Sequence, residues 1–570
     1  FNYSSGLSSL TRTPADIGYV NTKEWFSVMD EAYQNSTGLD FNISDYYRFA
    51  PQAYTALTRG QAESINTDWY KELFQTGSFA DYNLSSSQGF DKGSLYISGN
   101  YRKDKGVQTN NNLERASVRS NLEFTPLKNL TMGLRLNFSY ANNDQRSSGV
   151  TSIVTYALPW FPVRNPDNPL QYFNAYTGAN PAALTDPANV KNNVQQYRGL
   201  GGLSLDYKLP FVTGLSLRTE LSTDIMQGNI VLWQSRDIRL DGGQKPSSFA
   251  REEAVTSRVF NYNAYATYDR SFAKHSFSMV GGLEATRNSQ YSRTLSGQDL
   301  TGIYQELGDP TILLAASGRL NGERYLLGYF LRGNYKFKDR YLFGVSARRD
   351  GSSAFTSQNR WGNFMGLSAG WILSEESFMS FLGNNTFLKL RGSFGEVGNQ
   401  GIPANMNVVN YYSHALYGGR GILGVNGTTP INLPEQNLRW ETTRSADVGV
   451  DFGLFRNRIN GSVAYYHRFV RDMLLNAPVP VSAGVSSPDL NFERGTYDLT
   501  SNAIWSNIGD MVNSGLEFEL HSVNFDKGGF QWTTDFNISF NQNIIKRLTP
   551  SADRTGKGMV GLATVSRTGY

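Results

Sequence analysis

Residues 130–140 read Leu-Thr-Met-Gly-Leu-Arg-Leu-Asn-Phe-Ser-Tyr. Leu130, Met132, Leu134, Leu136, Phe138 and Tyr140 alternate with Thr131, Gly133, Arg135, Asn137 and Ser139. A period of two puts these sets on opposite faces of a β-strand, one apolar and one polar. The same alternation surrounds it. Leu203, Leu205 and Tyr207 alternate with Ser204, Asp206 and Lys208. Leu215, Leu217, Leu221 and Ile225 alternate with Ser216, Arg218, Glu220, Ser222 and Asp224. It returns at Phe277 to Ala285, Tyr325 to Phe337, Val448 to Leu454, Leu516 to Leu520 and Phe536 to Phe540. About 17 such segments are present.

The connections alternate in length. Short turns fall at Gln88 to Gly93, Thr125 to Asn129, Leu209 to Gly214, Ser271 to His275, Lys338 to Arg340, Phe455 to Arg458 and Asn524 to Gly529. Long connections separate them, at Leu10 to Phe79, Asn143 to Val194, Arg236 to Glu252, Leu295 to Glu323, Gly398 to Leu438 and Asp472 to Trp505. Short turns at one end and long loops at the other describe an up-and-down antiparallel sheet.

Composition decides which face is wet. Charged residues are 18% of the 570, against roughly 25% in a soluble domain. Aromatics are 13%, too many for disorder. A length of 570 would ordinarily suggest about four soluble domains. Mean hydropathy is −0.42, and no run of about 18 apolar residues exists to cross a membrane as a helix. In a soluble sandwich the apolar face points inward; in an outer-membrane barrel it meets lipid, and the polar face lines the lumen. The polar faces here carry Asn, Ser, Gly and charges of both signs. Tyr140, Trp233, Tyr268, Tyr341, Trp371, Tyr465 and Trp532 fall near strand ends, where interfacial girdles belong. A strand of about ten residues, tilted about 40°, spans roughly 25 Å, the height of such an apolar band. The predicted fold class is all-β, a transmembrane up-and-down antiparallel β-barrel. Zero cysteines remove disulfides, zinc ribbons and thiol chemistry. A net charge of +4 gives no reason to expect nucleic acid.

Strand parity concerns the ends. With the short turns on the periplasmic side, Phe1 to Ser9 runs outward, and so does the seventeenth strand, Trp532 to Lys546. Bare sheet edges are not tolerated in lipid. The expectation is one incomplete barrel domain over residues 1–570, continuing beyond Tyr570, with Phe1 not a natural start.

Several stretches resemble the SusC/RagA family of TonB-dependent outer-membrane transporters of Bacteroidetes. The first is Asn66-Thr67-Asp68-Trp69, with Tyr82-Asn83-Leu84-Ser85 and Tyr96-Ile97-Ser98-Gly99. The second is Arg349-Asp350-Gly351-Ser352-Ser353. The third is Leu388-Lys389-Leu390-Arg391-Gly392-Ser393 leading to Gly398-Asn399-Gln400-Gly401. The fourth is Leu438-Arg439-Trp440-Glu441-Thr442-Thr443, followed by Val448-Gly449-Val450-Asp451-Phe452 and Tyr465-Tyr466. The fifth is Asn507-Ile508-Gly509, Met511 and Asn513-Ser514-Gly515-Leu516-Glu517. The resemblance implies a barrel of about 22 strands, with an N-terminal plug and TonB box outside this sequence. It implies a SusD-like surface lipoprotein as lid, TonB as the source of energy, and a setting of outer-membrane lipids. It allows a dimer of transporter–lid pairs.

The first long connection carries two short amphipathic helices. Asn21 caps one, with Glu24 three residues on and Trp25, Val28, Met29, Ala32 and Tyr33 as its face. Asp68 caps the other, with Gly77 ending it. Trp25, Tyr46, Tyr47 and Trp69 are the candidate lid contacts; the bland alternative is a self-packed loop over the rim. Trp160, Tyr172, Phe173, Tyr411, Tyr412 and Tyr417 are the candidate substrate contacts, since flat rings beside amides suit glycans or peptides. Their alternative is packing between loops or against the lid.

Other chemistry is thinly supported. Gly366-Leu367-Ser368-Ala369-Gly370 matches a nucleophile elbow, but that needs strand, turn and helix, and Ser368 sits inside an alternating strand. No enzyme is expected. The histidines at 275, 414, 467 and 521 lack zinc spacing. Asp489, Asn491, Glu493 and Asp498 could offer calcium oxygen ligands, without the EF-hand order; a solvated acidic loop is the plainer reading. Arg348-Arg349-Asp350 reads as a cluster pairing its own charges at the rim rather than binding phosphate. The functional expectation is active import of oligosaccharide or peptide. A scaffold within a larger outer-membrane assembly is the second reading, and an open diffusion porin the third.

Overall fold

The computed structural model describes residues 1–12, 19–48, 57–145, 157–173, 180–236, 248–301, 305–308, 310–383, 385–402, 411–414, 427–430, 435–478, 489–491, 496–498, 503–547, 559–560 and 565–566. Seventeen strands form one sheet. They are β1 (Asn2–Ser8), β2 (Gly77–Phe90), β3 (Gly93–Lys105), β4 (Asn112–Leu127), β5 (Leu130–Asp144), β6 (Val190–Lys208), β7 (Leu215–Gln234), β8 (Phe249–Phe272) and β9 (His275–Leu300). They continue as β10 (Pro310–Phe337), β11 (Tyr341–Ser352), β12 (Trp361–Ile372), β13 (Phe387–Asn399), β14 (Glu441–Leu454), β15 (Ile459–Arg471), β16 (Asp510–Lys527) and β17 (Phe530–Arg547). Each pairs antiparallel with its neighbours in sequence, so the order is a plain meander.

Register carries the apolar set across the sheet. Leu134 stands opposite Leu122 on one side and Leu203 on the other, and Leu203 opposite Leu221. Arg135, one residue on, faces Asn121 and Gly202. The apolar face is bare: Leu84, Val118, Phe138, Leu221 and Met365 are all exposed, as a lipid-covered wall requires. The opposite face carries ion pairs between neighbouring strands. Examples are Arg198–Asp224 at 2.5 Å and Arg391–Asp451 at 2.9 Å, while Arg348 on β11 reaches past β10 to Glu284 on β9 at 2.7 Å. The short turns follow strand twist. Lys338 and Asp339 have φ of 53° and 55°, and Gly528 and Gly529 have 65° and 81°, the sense of the hairpin turns that match that twist.

Two expectations change. The connection Leu295 to Glu323 is largely ladder, because β9 and β10 stay paired up to Leu300 and Pro310. Their backbone groups need partners above the lipid as much as within it, although the apolar alternation ends there. Among its described residues the first connection holds four helices rather than two: α1 (Thr22–Thr37), α2 (Ile43–Arg48), α3 (Arg59–Glu63) and α4 (Trp69–Leu73). Asn21 and Glu24 do form a reciprocal capping box, closed by Gly38 at φ 73°. The buried face of α1 centres on Phe26, while Val28 is 58% exposed. Gly77 opens β2 instead of ending α4, whose cap is Phe74.

Among the described residues, the buried apolar clusters lie at the long-loop end of the sheet. The wall itself has no enclosed core, having lipid on one side and lumen on the other.

Candidate functional site

The long-loop rim gathers the residues that sequence singled out. One aromatic cluster joins α1–α4 to the connection between β5 and β6, including α5 (Pro181–Thr185). Trp160 is wholly buried at its centre. Its ring lies 5.6 Å from Trp25, 5.9 Å from Phe26, 5.2 Å from Tyr46 and 4.6 Å from Phe161. Phe173 packs 5.7 Å from Phe161. The first motif stitches the two connections together. Asn66 accepts hydrogen bonds from the Thr22 backbone N–H and hydroxyl, at 3.1 and 3.2 Å. Thr67 donates its hydroxyl to the Phe161 carbonyl at 2.6 Å, and Trp69 its Nε1–H to the Leu158 carbonyl at 3.0 Å. Asp68 caps α4 through the Tyr70 and Lys71 N–H groups.

Charge tightens the same unit. Arg59 clamps Asp30 with two bonds of 2.7 and 2.6 Å and also reaches the Phe41 carbonyl. That guanidinium holds the Asp30 carboxyl below the usual carboxylate range. Tyr172 donates to Asp186 at 2.6 Å, and Arg164 stacks 3.7 Å over its ring. Burial and then the Asp186 bond push the Tyr172 hydroxyl up to about 12, so it stays protonated.

The placement of each candidate follows. Trp25, Tyr46, Trp69, Trp160, Tyr172 and Phe173 converge on this one cluster. Trp69, Trp160 and Phe173 are 5%, 0% and 2% exposed, so their rings face one another. Each of the three packs inside the loops rather than presenting its ring to solvent. Tyr47 lies on α2. Tyr411 and Tyr412 lie on a short strand, Tyr411–His414, paired with Gly427–Pro430. Tyr417 and Glu493 lie outside the described residues. Asp489 and Asn491 lie on a strand paired with Thr496–Asp498. No group of three or more His, Cys, Asp or Glu converges among the described residues.

A second rim cluster was not foreseen as a unit, although its residues carried the resemblance. Phe355, Phe364, Ile402, Leu438, Trp440 and Leu474 pack together. Trp440 donates its Nε1–H to the Arg360 carbonyl at 3.0 Å. The Ser352 hydroxyl bonds the Gln400 amide oxygen. Asn507 donates to the Arg439 and Asp472 carbonyls, both at 2.8 Å. The second to fifth motifs therefore meet in one knot. A signal existed, since Ser352, Gln400, Trp440 and Asn507 each fall at the long-loop end of a strand, although residues 388–391 and 448–452 of the same motifs lie at the short-turn end.

The lumen face is amphoteric. Ser276, Asn334, Lys336, Ser368, Lys389 and Arg391 line a concavity of about 500 Å³ on it. Ser368 is locked in mid-ladder opposite Gly344 and Ser393, not on an elbow. The wall can thus pass or hold polar material while its outside meets lipid.

Such a sheet defines an outer-membrane β-barrel protein. Residues 139–566 match the family described as TonB dependent receptor-like, beta-barrel, and the chain belongs to that family. It is 29% identical over 530 residues to TonB-dependent receptor P3 of Formosa agariphila, covering 90% of this chain and 50% of that protein. It is 27% identical over 548 residues to TonB-dependent receptor SusC of Bacteroides thetaiotaomicron, covering 89% of this chain and 51% of that one. The chain spans about half the length of the curated relatives it matches. The solved RagAB peptide transporter aligns with a TM-score of 0.78 over 100% of this chain and 63% of that one. At 20% identity that likeness shows the fold. The chain resides in the outer membrane, crossing it with strands.

Proposed function

We propose that this chain is the wall of an active importer, taking up peptide or oligosaccharide and energised through TonB. A SusD-like surface lipoprotein would close on the rim. The observation that carries the reading is the lumen face. It carries charges of both signs, many of them paired within or between strands, among Ser, Thr, Asn and Gly. A wall of that kind binds polar cargo without a single dominant sign. Its likenesses support the direction: one relative is a SusC, and one structural likeness is a peptide transporter. The compact rim clusters offer a firm platform for a lid, a role their aromatic interior serves by rigidity.

The test is uptake of labelled oligopeptides and oligosaccharides by cells with and without the gene, before and after a proton uncoupler. Uptake of one class that needs both the gene and the proton gradient is expected. Free solute passage through the intact protein in liposome swelling would sink active transport. Purification in mild detergent without any lipoprotein would count against the lid.

A further inference from the structure

Strand parity splits the Arg348-Arg349-Asp350 cluster across the sheet. Arg348 turns to the lumen and pairs with Asp350 and Glu284, each at 2.7 Å. Arg349 turns outward, opposite Tyr329 and Asn363. It is exposed, and its one described interaction is with a ring, the guanidinium carbon 5.2 Å from the Trp361 centroid. Trp361 stacks on Tyr329 at 6.3 Å and lies across Gly351, where a Cβ would meet the indole at 2.9 Å. Two carboxylates elsewhere on this outer face are already held, Glu323 by Arg287 and Glu396 by Arg444.

Beneath Arg349 the apolar face is hollowed. Gly333, Ala369 and Gly392 form the floor of a groove of about 670 Å³, walled by Met279, Phe343 and Phe394. Gly333 is opposite Val345 and Met279, two rows of outward residues below Arg349 along β11. A cation without a carboxylate thus stands at the long-loop end of a lipid-facing slot.

We propose that this is a binding site for a phosphorylated outer-leaflet lipid. Its phosphate pairs with Arg349, and one acyl chain lies in the Gly333–Gly392 groove. Charge complementarity selects the occupant. A guanidinium beside Tyr and Trp at the interface matches a phosphate in geometry, and the slot below it offers mainly apolar surface. The inference needs the barrel to sit in the membrane but does not depend on what it transports.

The test uses the full-length protein in detergent and native mass spectrometry. The probes are monophosphorylated lipid A and the same lipid with its phosphate removed. Wild type is expected to retain the phosphorylated probe about tenfold better, and Arg349→Gln to abolish the difference. Arg349→Lys should restore part of it. Gly333→Phe should fill the slot and weaken retention of both probes, in protein whose folded barrel still shifts on unheated gels. Equal retention of the two probes by wild type would overturn the proposal. So would a Gly333→Phe protein that loses dimers while keeping its lipid, since a second copy would then be the occupant.

Discussion

Single positions carry more of the rim than their chemistry suggests. Gly398 belongs to a motif legible in the sequence, but its reason is a neighbour's ring. A Cβ on Gly398 would lie 2.1 Å from Phe364 Cζ, and one on Gly362 would lie 2.5 Å from the same atom. The phenyl ring fills the slot those glycines leave, then meets Trp440 edge-on at 5.5 Å. Gly398→Ala should therefore destabilise by about 1–3 kcal/mol, as overpacking does. The readout is the temperature at which the folded form disappears on gels. Adding Phe364→Leu should recover part of the loss; an unchanged transition in Gly398→Ala would contradict the packing. Spacing in sequence cannot reveal such a contact, because the ring arrives from the adjacent strand. Arg349 is different. Its outward direction was readable from parity alone, since Arg348 and Asp350 share one face and Arg349 takes the other. The expectation of a self-paired cluster overlooked that alternation and holds only for Arg348 and Asp350.

At the scale of elements, the wall was the legible part. Period-two alternation is imposed by lipid on one face and water on the other, so it survives in any single strand. Leu134→Arg places a charge in the apolar band and should cost about 2–4 kcal/mol near the midplane. Arg135→Leu, on the lumen face beside Asn121 and Gly202, should cost much less. Folded yield after insertion into lipid vesicles measures both, and the reverse order would overturn the facing. Above the membrane the signal fades. Ser292 and Ser296, on one face of β9, are buried, 9% and 0% exposed, so the polar face there is covered rather than wet. That is why the paired tops of β9 and β10 read as a loop. Capping was legible at Asn21 and Asp68, because each cap is chemistry within four residues. The buried face of α1 was not, since Phe26 is selected by Trp160 and Phe41, which lie on other segments.

For the molecule as a whole, stability divides into two kinds. The wall is held by ladders and lipid, and the rim by buried rings. Trp160→Ala removes the centre of the larger rim cluster, a change of about 3–5 kcal/mol in a packed core. Limited proteolysis should then cut within residues 10–76 or 145–189, while the unheated gel shift of the barrel persists. Simultaneous loss of both would show rim and wall to be one cooperative unit. The rim's partners were hidden from sequence because Trp160 and Trp25 meet only when two distant connections fold over each other. The unequal strands also have a consequence for traffic. β8, β9 and β10 run 24, 26 and 28 residues, while β11 and β12 run 12 each. Every residue past about ten lifts the wall by roughly 3.3 Å along the strand. The mouth is therefore a slope, tall on one flank and low beside it. Anything approaching from outside meets a tall wall on one flank and a low sill on the other, so the two flanks differ in how far they shield the opening.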